Sequence, residues 1–225
     1  MIGGRIRARA WLGVGFLAAL LYANFLLAWV LRGFEGMEEI VSELEAPGEP
    51  NAMLLRITDV VCAVLVVALL PRVRLALPSL WWRECAIWAT VVFALGAVVA
   101  AVVAIPCGPD VACSSPSEQR QVLIHNGASI VSATALFAGT AAVWFATRAV
   151  GPRWLNRFAW WSFWTVGVGA SLIFGYLDRT VESSAAVGAA QRLHIVGMSV
   201  WIGGLGVVAA RGRFTPAASK SGAPC

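Results

Sequence analysis

Lysine occurs once in this sequence, at Lys220, tyrosine only at Tyr22 and Tyr176, and charged residues of every kind fill just 13% of the 225 positions. Soluble domains carry about a quarter of their residues as charges, so this scarcity excludes an ordinary water-soluble globule. Internal repeats, heptad patterns and low-complexity linkers are also missing, which leaves a single domain over 1–214 and a disordered cytoplasmic tail over 215–225. The familiar catalytic signatures are absent as well. There is no Gly-x-Ser-x-Gly elbow, no P-loop, no dinucleotide fingerprint and no HxxxH or HExxH pair, and no Gly-x-Ser-x nucleophile with a histidine on the required partner helix is evident.

What is present is apolar bulk: 59% hydrophobic residues with eleven Trp and ten Phe, at a mean hydropathy of +0.76. Crossing roughly 30 Å of hydrocarbon takes about 20 helical residues. Six stretches qualify, at about 10–31, 53–70, 85–105, 122–146, 158–177 and 193–210. The expected fold is therefore all-α: a polytopic membrane protein built as a six-transmembrane-helix bundle.

The net charge of +5 raises the question of nucleic acid, but in such a chain the placement of charge decides first. Three positive charges fall in each of the N-terminal segment (Arg5, Arg7, Arg9), the second turn (Arg72, Arg74, Arg83), the fourth turn (Arg148, Arg153, Arg157) and the C-terminal segment (Arg211, Arg213, Lys220). The alternate loops hold only Arg32, Arg120, Arg179 and Arg192, against ten of the twelve acids. Because Arg and Lys beside short loops resist translocation, both termini are expected on the cytoplasmic side of the membrane, with no nucleic-acid partner. A cleavable signal peptide fits the first run less well, since that run is long and no small-x-small site closes it.

Of five cysteines, Cys107 and Cys113 stand six apart in PCGPDVAC, in an outer loop where a disulfide would persist. A structural staple, two free thiols and metal or redox chemistry are the alternatives there.

Ionisable groups inside a span are costly and usually face the bundle. Arg56 and Asp59, three apart in RITDV, share a helix face and invite either an internal salt bridge or a ligand. His125, Ser129 and Ser132 form one stripe of the fourth span, and Ser171, Gly175 and Asp178 a similar stripe of the fifth. Arg192 and His194 open the sixth. If the spans align, Arg56, Asp59, His125, Asp178, Arg192 and His194 meet at one level beneath the outer surface. Two imidazoles with two carboxylates there suit a divalent metal, or a general acid and base, although no ligand spacing fixes the geometry. The glycines of WIGGLG and VGVGAS read as close helix contacts. The first outer loop, GFEGMEEIVSELEAPGEPN, spaces Met37, Ile40, Val41 and Leu44 as a short amphipathic helix, with Glu43 among six glutamates.

VSELEAPGEPN, RITDV, the cysteine loop leading to His125, and QRLHIVGMSVWI together resemble the bacterial membrane family filed as domain of unknown function 998, over about residues 10–210. That resemblance implies an integral membrane fold in the inner or plasma membrane of a bacterium, and places Ser42, Glu43, Asp59 and His125 at recurrent motif positions. It implies no reaction, substrate or cofactor. Three functions stay open: a pocket, drawing on Arg56, Asp59, Ser129, Arg192 and Glu43, that binds a lipid, a lipid-linked molecule or a partner protein; a metal-dependent or acid/base lipid hydrolase or transferase using His125, His194, Asp59 and Asp178; and a small transporter.

Overall fold

The computed structural model describes residues 2–33, 35, 39–78, 80–108, 111–181 and 185–212. The expected tail over 215–225, and Met37, Glu38, Asp110, Glu182, Arg213 and Lys220, lie outside the described residues.

The described chain is helical: α1 Ile2–Tyr22, α2 Phe25–Leu31, α3 Ala52–Ala76, α4 Trp81–Val102, α5 Pro116–Thr147, α6 Arg153–Trp161, α7 Ser171–Thr180 and α8 Ala185–Arg211, with a π-helical segment, Ser162–Ala170, joining α6 to α7. Five helical stretches are long and apolar enough to cross a membrane. The bent pair Ile6–Tyr22 and Phe25–Leu31 makes a sixth when taken as one span. The helices outrun the apolar stretches at most ends, because backbone hydrogen bonding continues into the interface where side chains turn polar.

Two spans depart from the expectation of plain crossings. The first bends by 58° between α1 and α2, around Ala23 and Asn24, with neither proline nor glycine at the joint. The fifth runs over Arg153–Thr180, but its middle is π-helical.

Local chemistry explains the clearest boundaries. At the start of α5, Ser115 Oγ accepts from the Glu118 amide at 3.2 Å, while Glu118 Oε2 accepts from the Ser115 amide at 2.9 Å. Pro116 supplies a preset φ at the first helical position. At the other end of α4, the terminal carbonyls are taken up by side chains from α3 and α5, described below.

Helix contacts are made through small residues, as lipid-solvated bundles require. Gly15 of α1 and Gly206 of α8 touch backbone to backbone, so a Cβ on either would collide with the other. On α4, a Cβ at Gly96 would stand 2.9 Å from the Ala128 carbonyl of α5, and beside it Ser132 Oγ donates to the Phe93 carbonyl at 2.8 Å. Between them Phe93, Leu136, Trp201 and Ile202 are fully enclosed. The fifth crossing stands apart: α7 has no buried residue and rests on α8 and the π segment rather than on α5.

The first outer loop is not an amphipathic helix where it is described. Among its described residues only Glu43–Glu45 is helical, as a single 3-10 turn, and the chain dips inward so that Val41, Leu44, Glu45 and Ala46 are buried. The apolar positions expected to lie on a surface instead fill the wedge opened by the bend: Val41 packs with Ala23 and Phe25, and Leu44 with Ala28 and Leu55. This strap, residues 39–51, is tied down from several sides. The Val41 amide donates to Gln191 Oε1 at 2.6 Å, Arg192 Nη1 donates to the Glu39 carbonyl at 2.9 Å, and Arg32 bridges Glu49 at 3.0 Å and Glu39 at 3.4 Å.

Candidate functional site

The fifth crossing meets α5 where Gly167 of the π segment faces Phe137; a Cβ there would lie 2.8 Å from the ring. Beyond that apex α7 packs chiefly on α8 and the π segment, with little contact to α5. The space left open is part of a cavity of about 1320 Å³, bounded by residues of every span and by the strap. Ile130, Phe163, Phe174 and Met198 contribute apolar wall, and Gly175 leaves room, with no atom within 4 Å of where its Cβ would be. Drug-sized ligand pockets are about 300–1,000 Å³, so this one is large enough for an extended amphiphile.

A cluster of buried polar side chains in its wall is assembled at the bend. Asn24 Nδ2 donates to Asp59 Oδ1 at 2.9 Å, and lies 3.1 Å from both Thr58 Oγ1 and the Leu55 carbonyl. The carboxyl of Glu45, carried in by the strap, hydrogen-bonds that of Asp59. Two ionised carboxylates hold only acceptors, so that contact requires a proton between them. Burial pushes Glu45 up to about 7, opposed by the hydrogen bonds from Asp59 and Asn24 and by the charge of Arg56. Glu43, half-buried, is also raised, chiefly by burial, with its bond from the Ile40 amide opposing and Glu39 and Asp178 adding to the rise.

Arg56 and Asp59 share a face of α3 but take different partners. Arg56 Nε donates to the Ala101 carbonyl at 2.6 Å and Nη2 to the Val102 carbonyl at 3.0 Å. His125 Nδ1 lies 3.0 Å from the carbonyls of Ala100 and Val103, and Gln121 Nε2 donates to Ala104 at 2.7 Å. Since carbonyls only accept, His125 carries a hydrogen on Nδ1. These three side chains satisfy the carbonyls that a helix end leaves without partners. The expected pair is thus a cap and a carboxyl site.

His194 Nε2 lies 3.1 Å from Ser171 Oγ, and its ring is stacked at 5.4 Å on Phe137 and at 6.4 Å on Phe174. Phe137 stands twelve residues beyond His125 on α5, roughly 18 Å of helix rise. The six ionisable residues do not share one level, because His194 lies deep beside the π segment while Arg56 and His125 sit at the α4 end. Among the described residues no three His, Cys, Asp or Glu side chains converge to hold a metal ion, so the two histidines form no common ligand set. Asp59, His125, Ser129, Asp178, Glu43 and His194 all line the cavity; Arg56 and Arg192 do not. Arg192 stays with the Glu39 carbonyl, its guanidinium 5.9 Å from the Phe25 ring centre.

Sequence reasoning passed over two residues: Asn24 is a lone amide in an apolar run, and Glu45 one glutamate among six. Ser171, expected only as part of a polar stripe, faces a histidine on the next span. Cys107 and Cys113 form a disulfide with Cα atoms 5.7 Å apart. Their loop abuts the strap, where a Cβ on Gly108 would stand 2.9 Å from Glu49 Oε1.

A helical bundle with membrane-length apolar spans and a wide cavity defines a polytopic membrane protein embedded in a lipid bilayer. The chain belongs to the family described as protein of unknown function (DUF998), whose model matches residues 12–208. No curated protein and no solved structure matches it.

Proposed function

We propose that the protein binds an amphiphilic molecule, a lipid or lipid-linked compound, that enters sideways from the bilayer into the cleft between α5 and α7. The observation that carries this reading is the divergence of the two helices beyond Gly167 and Phe137, which leaves an apolar wall at bilayer depth with carboxyl, amide and hydroxyl groups at one end. Charge placement supports cytoplasmic termini, with the strap and the polar end of the cleft near the outer face. An acyl chain inside the cleft replaces contacts with other chains, so its affinity comes from shape and from the polar end rather than from leaving water.

Native mass spectrometry of the protein released from lipid nanodiscs tests the reading. Wild type is expected to retain an amphiphile that Gly175→Leu, which adds bulk to the cleft wall where a Cβ would meet no atom, releases. A wild-type protein without a retained lipid, or retention undiminished by Gly175→Leu, overturns it.

A further inference from the structure

We propose that Ser171 and His194 form a nucleophile and base that cleave an ester bond of an acylated amphiphile held in this cleft, an inference that rests on the binding reading above. Three observations converge. The Ser171 hydroxyl and His194 Nε2 are 3.1 Å apart, within the reach that activates a serine. Both side chains form part of the cavity wall. The imidazole is oriented by Phe137 and Phe174, whose planes lie within 27° and 25° of it; the rings take the positioning role that a third polar group usually fills.

The π segment accounts for the placement. It ends at Ala170, and its wider turns displace the residue that follows around the helix axis from where an unbroken α-helix would carry it. Ser171 shows the altered register directly, since its hydroxyl lies 3.4 Å from the carbonyl of Val166, five residues back. A hydroxyl–imidazole bond between spans also serves as packing glue, but glue needs neither a cavity beside it nor reactivity.

The chemistry balances with water as the only co-reactant. Ser171 Oγ attacks the ester carbonyl carbon while its proton passes to His194 Nε2. The tetrahedral centre collapses, the bond to the alcohol oxygen breaks, and the imidazolium proton goes to that oxygen. Water then attacks the acyl-serine, giving its proton to His194, and the carboxylic acid leaves as Ser171 recovers its proton.

A fluorophosphonate probe reports the first step without the natural substrate: an Oγ–P bond forms, the P–F bond breaks, fluoride departs, and His194 takes the proton. Full-length protein in mild detergent is incubated with the probe and the adduct is mapped by peptide mass spectrometry. The expected site is Ser171, with labelling slowed about 100-fold in His194→Gln, as for loss of a general base, and slowed by Gly175→Leu. Ser199→Ala, a buried hydroxyl donating only to its own helix at Ile195, labels like wild type. No adduct, an adduct on a different serine, or labelling indifferent to His194→Gln overturns the proposal. Lipid retained on an unlabelled Ser171 removes the chemistry and spares the cleft; a labelled Ser171 on a protein that retains no lipid removes the binding reading alone.

Discussion

Glu45 and Asp59 share a hydrogen bond between their carboxyl groups although one comes from an extramembrane strap and the other from a transmembrane helix. The bond makes strap docking depend on a proton. Tyr22 and Asn24 from the first span, and Arg56 and Thr58 from α3, surround the pair.

Because burial raises Glu45 from 4.5 to about 7, docking is favoured by the neutral acid. Below about 4.5 the carboxyl is protonated whether the strap is docked or released, and docking is at its strongest. Between 4.5 and about 7 the released strap ionises while the docked one keeps its proton, so docking weakens steadily as pH rises; above about 7 it weakens no further. Amide hydrogen exchange of residues 39–51, corrected for intrinsic rates, is expected to quicken over that window in wild type and to change much less in Glu45→Gln, where Glu43 remains as a strap carboxyl raised by burial. A flat wild-type profile would refute the linkage.

Two glycines should respond in opposite ways to the same substitution. Gly15→Leu forces apart the backbones of α1 and α8 and is expected to cost about 3 kcal/mol, read as a lowered unfolding midpoint in detergent. At Gly175 a Cβ would have no atom within 4 Å, so Gly175→Leu builds into open space and replaces a poor helix former by a good one. Its midpoint is expected to equal or exceed that of wild type even as ligand is lost.

Arg56 and His125 cap the end of α4, so their removal is expected to show as instability. Arg56→Ala should cost about 1.5–3 kcal/mol, the range for a hydrogen bond from a charged group. Arg56→Lys should recover only part, because an ammonium lacks the planar fork that reaches the Ala101 and Val102 carbonyls together. Guanidinium chloride unfolding in mild detergent compares the three proteins.

Reducing the Cys107–Cys113 bridge, which closes a short loop, is expected to cost about 2 kcal/mol. Since Gly108 rests against Glu49, the change should reach the strap. Faster exchange is expected in both 103–108 and 47–51, and exchange confined to the cysteine loop would show that the two loops move independently.

The spans were legible because twenty-residue apolar runs have few alternatives in lipid, and charge placement gave a definite expectation for their sides. The first span's bend was not legible, since YANFLL carries no helix breaker. Its only sign is Asn24, an amide that lipid would reject unless a partner such as Asp59 received it. The spacing of Arg56 and Asp59 correctly put them on one face, but their partners come from the end of α4 and the bend of the first span, which no local pattern encodes. His125 and His194 were expected at one depth because both follow a span boundary. The sequence does not reveal that His194 meets α5 twelve residues beyond His125, nor that a π segment turns Ser171 towards it.

The bend also sets how the protein fits its bilayer. Ile6–Tyr22 rises roughly 25 Å and Phe25–Leu31 roughly 10 Å, and at 58° to the first the second adds only about half its length to the depth spanned. The pair then reaches roughly the 30 Å of an average hydrocarbon core, whereas a straight helix from Ile6 to Leu31 would overshoot by about 9 Å. Lipid length therefore bears on this joint: thicker membranes favour straightening it and thinner ones favour keeping it folded. Asn24, at the elbow, couples that load to the carboxyl of Asp59.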